Sequence, residues 1–373
     1  MRILHTIQGL SAKSGGTSTS TYDLLTAMRR IGCDVDLMTL RSSDLMGNGE
    51  SWIRALPNDS ISSYGYSRNV NKFLSQTDYD LYHTNGLWLY SNHLTCKIAR
   101  DKDKPYVITP HGMLYPLALK RSYWKKWPLL QLWFKKDILQ ASCIHVTSMP
   151  ELKYVRLFGY KGPVAVIANP VSWPDYINTI ARENSKVRFG FLGRLHPVKK
   201  VENIFYAASL LDRADFEIRI IGSGDSDYEY FLKQEVDRLR LSNVRFCGFV
   251  TGREKYEMLA GLSALFVPSD FENFGMIVPE ALSVGTPVMA SLETPWEELN
   301  IHKCGWWCDR SPQNIAQVMI EILNMSQTDL DAMGERGRQL VADHYTALKI
   351  AEKMECLYQW IYSSGICPDF VYK

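Results

Sequence analysis

Two carboxylates stand eight positions apart in the stretch Ser269–Ala290, in a setting that could do chemistry. Glu272 and Glu280 flank Phe274-Gly275-Met276, and the pattern predicts a helix from about Ile277. A glycine just before a helix start leaves backbone N–H groups unpaired at the positive end of the helix dipole, which suits phosphate or another anion. Carboxylates are poor phosphate ligands but good acceptors for hydroxyl hydrogens, so the stretch suggests a ligand that carries both phosphate and sugar. The alternative is an acidic loop that caps a helix, with Glu280 as a solvated first-turn residue.

Counter-charges for such a ligand follow a predicted strand, Arg188–Gly193. In the loop after it, Arg194 could clamp a diphosphate through two parallel hydrogen bonds and Lys199 through its point charge. The next predicted strand, Glu217–Gly222, ends in a glycine turn whose Ser223 suits the edge of a flat base. A solvated basic turn and a plain glycine turn remain the alternatives at these two places.

The N-terminal half offers two further strand-end loops. Gly15 and Gly16 come before a helix predicted over Ser18–Ile31, and glycines there let backbone approach a ligand closely. They do not form a G-x-G-x-x-G fingerprint, so a plain tight turn is the alternative. His111 ends another strand and precedes a glycine, so its ring can point into a ligand cleft. The other histidines are expected to be surface or satisfied core residues: His5, His83, His93, His145, His196, His302 and His344.

Short apolar strands alternate with helical segments, which predicts an α/β protein with mostly parallel sheets covered on both faces. The alternation pauses in a polar stretch, Val171–Lys186, which we interpret as a linker, and then restarts. From Pro312 onward the pattern is purely helical. The predicted strands are Arg2–Ile7, Val35–Leu40, Tyr79–His83, Tyr106–Pro110, Ile144–Thr147, Val164–Ala168, Arg188–Gly193, Glu217–Gly222, Val244–Cys247, Leu265–Pro268 and Pro287–Ala290.

Two sheets of the same style indicate two Rossmann-like, doubly wound domains that face each other across a cleft. We expect the first at residues 1–171 and the second at 172–349. A C-terminal helix at about 350–373 is expected to pack back on the first domain, so that the terminal helices tie the two together. Ligands bind beyond the carboxyl ends of the strands in such folds.

Composition limits the class of protein. The 373 residues, 46% hydrophobic and 22% charged, suit two globular domains. A net charge of +2 gives no general nucleic-acid footprint, so no nucleic-acid partner is expected. No apolar run reaches membrane-spanning length and the first strand is too short for a signal peptide, which favours a cytoplasmic protein. The eight cysteines show no zinc or disulfide spacing; the nearest, Cys304 and Cys308, flank apolar residues that predict a buried strand.

Five D-x-D triplets could hold a divalent cation on a diphosphate. Two lie at strand starts, one in a charged loop and two at helix starts, where acids suit the dipole. With Arg194 and Lys199 as counter-charges, we expect no bound metal and no cofactor. The triplets are Asp34-Val-Asp36, Asp78-Tyr-Asp80, Asp101-Lys-Asp103, Asp225-Ser-Asp227 and Asp329-Leu-Asp331.

Four motifs occur in an order that carries a family resemblance: GGT at residues 15–17, HGM at 111–113, GRLxxxK at 193–199 and E-x-F-G-x-x-x-x-E at 272–280. Together they resemble the retaining glycosyltransferases of family four, and the resemblance covers nearly the whole chain. It implies the GT-B fold of two Rossmann-like domains. It also implies transfer of a sugar from a nucleotide-diphosphate donor, with retention at the anomeric carbon and without a bound metal.

The resemblance implies a role for each matching residue. Arg194 and Lys199 would hold the donor diphosphate and neutralise charge on the departing nucleotide. Glu272 would accept hydrogen bonds from donor-sugar hydroxyls, and Glu280 from the ribose. His111 would support the donor sugar beside the reaction centre. Donor contacts are further implied for Gly15, Gly16, Ser223, Phe249, Phe274, Gly275 and Met276.

One departure from the family pattern is Lys200, where glycine is usual. It leaves open which lysine reaches the phosphates, and we expect Lys199. A uridine-diphosphate sugar is favoured over a guanosine-diphosphate sugar as the donor.

The mechanism is inferred from what the loops lack. A double displacement would need a carboxylate as nucleophile below the anomeric carbon. No aspartate or glutamate accompanies the HGM or GGT loops. We therefore expect a front-face substitution, in which the leaving phosphate helps to deprotonate the acceptor hydroxyl.

The acceptor is expected to be a glycan or a lipid-linked sugar, as in the biosynthesis of cell-surface polysaccharides or glycoconjugates. Residues 113–139 hold three tryptophans and one acid, with Trp127, Leu130, Phe134 and Ile138 at helical spacing. Such a segment can lie on an anionic membrane surface, or it can pack its apolar stripe inward as an ordinary helix. Pro128 must lie in a first turn or cause a kink. The cations of the segment are Lys120, Arg121, Lys125, Lys126, Lys135 and Lys136.

Two other classes of protein would share this architecture. An epimerase-like enzyme would bind the same donor but need added acid/base carboxylates in the cleft, which the sequence does not offer. A non-catalytic nucleotide-sugar-binding protein would be expected to lack Glu272 or the pair Arg194 and Lys199. A dehydrogenase is excluded because no strand is followed by the dinucleotide fingerprint.

Overall fold

The computed structural model describes residues 1–11, 15–60, 64–120, 122–180, 186–213 and 215–373, with the side chains of Leu117 and Lys125 left aside. This part of the chain forms two compact units. The N-terminal unit comprises Met1–Pro170 and Ala347–Lys373, and the C-terminal unit comprises Val171–Thr346. Each unit is built around a sheet.

Strands and helices alternate along the chain. The strands are β1 (Arg2–Thr6), β2 (Asp34–Leu40), β3 (Ile53–Leu56), β4 (Leu81–Asn85), β5 (Tyr106–Thr109), β6 (Cys143–Val146), β7 (Val164–Val166), β8 (Val187–Leu192), β9 (Phe216–Ile221), β10 (Val244–Gly248), β11 (Ala264–Val267), β12 (Val288–Ser291), β13 (Gly305–Cys308) and β14 (Val371–Tyr372). The helices are α1 (Gly16–Arg30), α2 (Arg68–Gln76), α3 (Tyr90–Asp101), α4 (Pro116–Lys120), α5 (Tyr123–Leu129), α6 (Lys135–Leu139), α7 (Met149–Phe158), α8 (Glu202–Ala208), α9 (Ser226–Arg238), α10 (Gly252–Ala260), α11 (Ile277–Ser283), α12 (Glu298–Ile301), α13 (Pro312–Asn324), α14 (Gln327–His344) and α15 (Ala347–Ser363).

The sheet of the N-terminal unit has the strand order β14-β7-β6-β5-β4-β1-β2-β3 and is parallel except for the pair β14–β7. Successive residues of a strand point to opposite faces, so this sheet packs against two separate cores. Leu4 and Tyr82 belong to one core, and Ile3 and Leu81 belong to the other. The helix α15 covers the second face, where Tyr358 is fully buried.

The sheet of the C-terminal unit has the order β10-β9-β8-β11-β12-β13, and its neighbouring strands are parallel throughout. Its central strands are buried on both faces, as the apolar runs predict. Because the strands run in one direction, their carboxyl ends form one edge. The loops that carry the predicted donor residues start at this edge.

Each predicted strand lies within two residues of an observed one. The largest shift is at β4, whose ladder with β1 begins at Leu81, so that the strand extends to Asn85. The edge strand β3 was not predicted, because its four residues are partly exposed and show no apolar run. The prediction of pure helix from Pro312 onward is wrong at the end of the chain, where β14 pairs with β7.

Two further predictions are wrong in detail. The first part of the stretch Val171–Lys186, up to Ile180, packs on the protein and is not a free linker. Val171 forms a β-bridge with Thr346, and Ile177 is buried. Residues 181–185 of the stretch lie outside the described part. The strand β13 between Cys304 and Cys308 is only partly buried, because it is the edge of its sheet. No helix in the described ranges is long and apolar enough to cross a membrane.

Candidate functional site

The parallel sheet of the C-terminal unit brings the predicted donor residues to one edge. Arg194 follows β8, Ser223 follows β9, Phe249 follows β10 and Glu272 follows β11. These four strands are neighbours in the order β10-β9-β8-β11. The four residues therefore lie along the same carboxyl edge, which is where parallel sheets bind ligands.

Two loops at this edge pack directly on each other. Gly222 has a φ of 134°, and a Cβ there would lie 1.9 Å from the carbonyl oxygen of Gly193. A Cβ at Gly224 would lie 2.1 Å from the carbonyl oxygen of Leu195. Only glycine fits at such distances. The glycine turn is therefore a packing requirement, and it holds Ser223 beside the loop that follows β8.

Lys199 and Glu272 form a hydrogen-bonded ion pair at this edge, with side chains 20% and 13% exposed. The Oε1 atom of Glu272 receives this bond and a second one from the hydroxyl of Ser269 (3.0 Å). Its Oε2 atom has no bond to a described residue and can accept from a hydroxyl group. A lysine has three N–H donors, so Lys199 can hold Glu272 and still bind an anion.

The remaining cations of the loop after β8 differ in their partners. Arg194 is exposed, and its guanidinium has no ion-pair partner among the residues that the structure describes. Lys200 lies 3.5 Å from a carboxylate oxygen of Asp270 and 3.8 Å from one of Glu202. It adopts the left-handed conformation (φ 52°, ψ 40°) that favours glycine. The two acids hold Lys200 in the loop as Glu272 holds Lys199, so the choice of Lys199 as the lysine that contacts a phosphate stays a prediction.

The loop before α11 presents unpaired backbone donors. The N–H groups of Phe274, Gly275 and Met276 have no acceptor among the described residues. The carbonyl of Phe274 accepts a hydrogen bond from the indole of Trp296 (2.5 Å), and Gly275 has a φ of 80°. Loop and indole together hold the three N–H groups at the start of the helix, where they can bind an anion.

Glu280 has a partner that the sequence did not reveal. Its Oε1 atom lies 2.8 Å from the ammonium of Lys255, and the two side chains are 14% and 22% exposed. Lys255 comes from α10, and nothing in its local sequence marks it as a site residue. The ion pair fixes the carboxylate of Glu280 in the first turn of α11.

Phe249 is 68% exposed at the end of β10. It stands next to Gly248, whose carbonyl accepts the N–H of Gly222 (2.6 Å). An exposed aromatic ring beside a glycine turn is a surface on which a flat base can stack.

The predicted glycine loop of the N-terminal unit precedes α1. This helix begins at Gly16, two residues earlier than predicted, and Gly15 before it has φ 91° and ψ −169°. Glycine alone adopts this conformation readily. No described side chain caps the helix start. Residues 12–14 of the same loop lie outside the described part.

His111 follows β5 in a left-handed conformation (φ 50°), and Gly112 continues it (φ 77°). Such a conformation is uncommon for a residue with a side chain and is frequent at functional sites. The Nε2 atom of His111 lies 3.4 Å from the amide oxygen of Asn85. Although the ring is partly exposed, burial lowers its pKa to about 3, so it is neutral at pH 7.

A carboxylate lies against the HGM loop, contrary to the prediction that none accompanies it. Glu151 on α7 is fully buried and accepts the N–H of Gly112. Its other oxygen accepts the N–H of Thr147 (2.9 Å). The fold brings it from 39 positions away, so the loop sequence gave no sign of it. Because backbone amides occupy both of its oxygens, Glu151 anchors the loop.

Aspartates of the D-x-D triplets have structural roles in two cases. Asp225 caps α9 by accepting the N–H groups of Asp227 and Tyr228 (both 3.1 Å). Asp36 accepts a hydrogen bond from Tyr79 (2.7 Å) and lies 3.4 Å from Arg54. Among the described residues, no three His, Cys, Asp or Glu side chains lie together as a metal site would require.

Residues 113–139 divide between core and surface. Phe134 and Ile138 are buried, as the inward stripe predicts, but Trp127 is 48% exposed. A π-turn over residues 130–134 interrupts the helix after Pro128, so the helical phase of the stripe changes there. Trp124 is also exposed. Arg121 and the side chain of Lys125 lie outside the described part.

Comparison with known proteins agrees with this architecture. A model of Glycosyltransferase Family 4 matches residues 14–172, and a model of Glycosyl transferases group 1 matches residues 175–340. The sucrose-phosphate synthase of Thermosynechococcus elongatus is similar in structure (TM-score 0.74, 18% identity, 98% of this chain and 100% of that one). So is HepE of Anabaena in complex with UDP and glucose (TM-score 0.73, 18% identity, 96% and 99%). Two units, each built on a mainly parallel sheet, together with this likeness in structure, show the GT-B fold.

Within that class, the chain belongs to the glycosyltransferases of family four. A curated relative is an uncharacterized glycosyltransferase of Methanocaldococcus jannaschii, 30% identical over 197 residues, which are 51% of this chain and 49% of the relative. The chain spans about half or less of the length of the curated relatives that it matches.

Proposed function

We propose that this protein is a retaining glycosyltransferase that moves a sugar from a nucleotide-diphosphate sugar to a hydroxyl of a glycan or lipid-linked sugar. The observation that carries the proposal is the Lys199–Glu272 pair beside the N–H groups of residues 274–276, which have no acceptor in the part of the chain that the structure describes. One sheet edge thus offers a cation and N–H donors for a diphosphate and a carboxylate oxygen for sugar hydroxyls. The solved complex of HepE with UDP and glucose supports a nucleotide sugar as the donor class.

In the proposed complex, Arg194 and Lys199 bind the diphosphate and stabilise the charge that develops on the departing nucleotide. The N–H groups before α11 add donors to the same phosphates. Glu272 accepts from hydroxyls of the transferred sugar through Oε2, and Glu280 accepts from the ribose. Ser223 and Phe249 frame the base, and a uridine nucleotide is the favoured donor.

In the N-terminal unit, the proposed donor contacts are Gly15 and Gly16 for the diphosphate and His111 for the transferred sugar. The proposed reaction is a front-face substitution that needs no bound metal. Glu151 does not serve as a nucleophile, because it is buried and both of its oxygens hold backbone amides. In the proposed front-face reaction, the leaving phosphate assists in deprotonating the acceptor hydroxyl. A glycosyl-enzyme adduct in the intact mass spectrum, or an inverted product, would contradict this mechanism.

Donor binding tests the proposal. We expect the thermal unfolding temperature to rise with one class of nucleotide-diphosphate sugar in a panel of uridine, guanosine and adenosine donors. The bare nucleoside diphosphates and the matching monophosphates serve as controls for the diphosphate contact. No response to any donor would overturn the proposal. A donor that is epimerised rather than cleaved would instead identify an epimerase-like enzyme, and a donor that is bound but never cleaved would identify a binding protein.

The acceptor side of the proposal includes peripheral contact with an anionic membrane. Trp124 (87% exposed) and Leu132 (67% exposed) lie on the surface of residues 113–139 with Trp127, near the exposed Lys135 and Lys136 in sequence. Exposed tryptophans among lysines suit the interface of an anionic bilayer. We expect co-sedimentation with vesicles that contain phosphatidylglycerol at low salt, and a marked loss in Trp124→Ser. The matched control is Leu157→Ser, since Leu157 is 79% exposed on α7. Absence of binding at low salt would remove the membrane contact from the proposal.

A further inference from the structure

Three buried histidines of the N-terminal unit belong to a hydrogen-bonded chain that reaches His111. Donor binding does not explain why so many polar groups are buried together. They come from β1, β4, β5, β6 and α15, which the fold brings to one face of the sheet. The members of the chain, each at most 8% exposed, are His5, His83, Asn85, Thr109, His145 and Tyr358.

The protons can be assigned from one end, because a backbone carbonyl only accepts hydrogen bonds. The Nε2 atom of His145 lies 2.8 Å from the carbonyl oxygen of Ile167, so it carries a proton. Burial lowers the pKa of His145 to about 4, so the ring is neutral and its Nδ1 is an acceptor. The hydroxyl of Thr109, 2.8 Å from Nδ1, therefore donates its single proton to His145.

The assignment continues to Tyr358. Since the Thr109 hydroxyl has used its proton, its oxygen accepts from Nε2 of His83 (2.6 Å). Burial holds the pKa of His83 well below its usual value, so this ring is neutral as well. Its Nδ1 therefore accepts from the hydroxyl of Tyr358 (2.5 Å). Burial raises the pKa of Tyr358, which keeps that hydroxyl protonated.

The hydroxyl of Tyr358 in turn determines the proton position on His5 and the orientation of the Asn85 amide. Its oxygen accepts from Nε2 of His5 (2.8 Å), and burial lowers the pKa of His5 to about 3. The Nδ1 atom of His5 is therefore bare and accepts from the amide nitrogen of Asn85 (3.4 Å). The same nitrogen lies 3.4 Å from the carbonyl oxygen of Thr6, which also only accepts. The carbonyls of Thr6 and Ile167 lie at the two ends of this series of hydrogen bonds. Both can only accept, and together they require every bond from Asn85 to His145 to be donated toward Ile167.

We propose that this chain of hydrogen bonds holds His111 as a single tautomer, with the proton on Nε2 and a bare Nδ1 as an acceptor for a sugar hydroxyl. The amide nitrogen of Asn85 is committed to His5 and Thr6, so its oxygen faces Nε2 of His111 (3.4 Å) and accepts from it. The Nδ1 atom of His111 has no partner among the residues described. Tyr358, His5 and Asn85 are positioning residues, and the inference rests on the proposed function, in which His111 contacts the donor sugar.

Removing the hydroxyl of Tyr358 breaks the chain in its middle. The N–H of His5 Nε2 then has no acceptor in a buried site, which is costly. If that proton moves to Nδ1 of His5, the new N–H group faces the amide nitrogen of Asn85. Both groups are then donors, so no hydrogen bond can form between them. The amide of Asn85 must then turn, and its nitrogen faces His111 Nε2 and forces the opposite tautomer.

The test reads the tautomer directly, by nitrogen NMR of the full chain labelled with ¹⁵N-histidine. The His111 signals are assigned by their loss in His111→Gln. We expect a protonated Nε2 and a bare Nδ1 at neutral pH in the natural protein, and a mixed or reversed pattern in Tyr358→Phe. Tyr160→Phe is the matched control, because Tyr160 is equally buried and its hydroxyl bonds to the carbonyl of Ala141 (2.8 Å), outside the chain.

A second pair of variants covers the case in which Tyr358→Phe fails to fold. Thr109→Val removes the hydroxyl at constant shape and is expected to change the His111 signals, whereas Thr109→Ser keeps the hydroxyl and the natural pattern. Turnover of the donor should fall about tenfold in Tyr358→Phe and Thr109→Val with KM nearly unchanged, as for one hydrogen bond lost in the transition state. The inference is overturned if His111 of the natural protein carries its proton on Nδ1. It is also overturned if the His111 signals are unchanged in both Tyr358→Phe and Thr109→Val. Since the NMR result needs no donor, a protein that turns over no nucleotide sugar would refute the proposed function alone.

Discussion

Glu272 and Glu280 carry the same functional group but have different partners. Lys199 is the ion-pair partner of Glu272, so in the proposed complex Glu272 shares this lysine with the diphosphate. Glu280 is held by Lys255 from another helix, away from the basic loop after β8. The tasks that we propose for them are separate as well, contact with the transferred sugar for Glu272 and with the ribose for Glu280.

Glu280→Gln keeps the shape of the side chain and removes its charge. We expect the affinity for the bare nucleoside diphosphate to fall about tenfold, because a hydrogen bond to a charged acceptor is lost. Lys255→Met is the control: it leaves Glu280 charged, so it should lower thermal stability while binding persists. Titration calorimetry measures both. Unchanged affinity in Glu280→Gln would remove the ribose contact.

The carboxyl edge of the sheet in the C-terminal unit is built by contacts between secondary-structure elements and their loops. The strand ends of β8 and β9 are joined by the contact of Gly222 with Gly193, and no side chain takes part in it. Strands and helix starts were predictable from apolar runs and glycines because these depend on local sequence. Glu151, Lys255 and the partners of His111 were not predictable, since tertiary contacts alone bring them to their loops.

Gly222→Ala tests the contact between the two loops. The added Cβ would meet the carbonyl of Gly193, and φ is 134°, so we expect a loss of about 2 kcal/mol or more in unfolding free energy together with weaker nucleotide binding. Gly248→Ala is the matched control at the same edge, with a φ of 74° and no atom within 4 Å of the added carbon. Equal losses in the two variants by chemical denaturation would show that backbone strain alone, and not the loop contact, matters at Gly222.

Over the whole molecule, the two units differ in their buried histidines. His5, His83 and His145 are buried in the N-terminal unit, and burial lowers the pKa of each. Burial also lowers the pKa of the partly exposed His111 to about 3. In the C-terminal unit His196, His302 and His344 are partly or fully exposed. The units should therefore respond differently to acid.

The sign of this response follows from proton binding. Unfolded histidines have a pKa of about 6.5, so below that pH the unfolded N-terminal unit binds more protons than the folded one. The contribution of the neutral buried histidines to the free energy of unfolding is fully present above about pH 6.5 and decreases as the pH falls. At about pH 5.5 the loss is about 1.4 kcal/mol per histidine. Hydrogen exchange at about pH 7.5 and 5.5, corrected for intrinsic rates, should show lost protection in β1, β4 and β5 and much less change in β8, β9 and β11. Equal changes in the two units would contradict the neutral state of the buried histidines.

Release of nucleoside diphosphate from the donor that binds would show that a nucleotide sugar is cleaved at the carboxyl edge of the C-terminal sheet. The natural protein should release it slowly in the absence of an acceptor, and Glu272→Ala should release it at least about tenfold more slowly while binding the bare nucleoside diphosphate as well as before. Ser209→Ala, an exposed change on the same unit away from this edge, should behave like the natural protein. If no donor is cleaved, or if Glu272→Ala cleaves it at the natural rate, the assignment of this site is wrong.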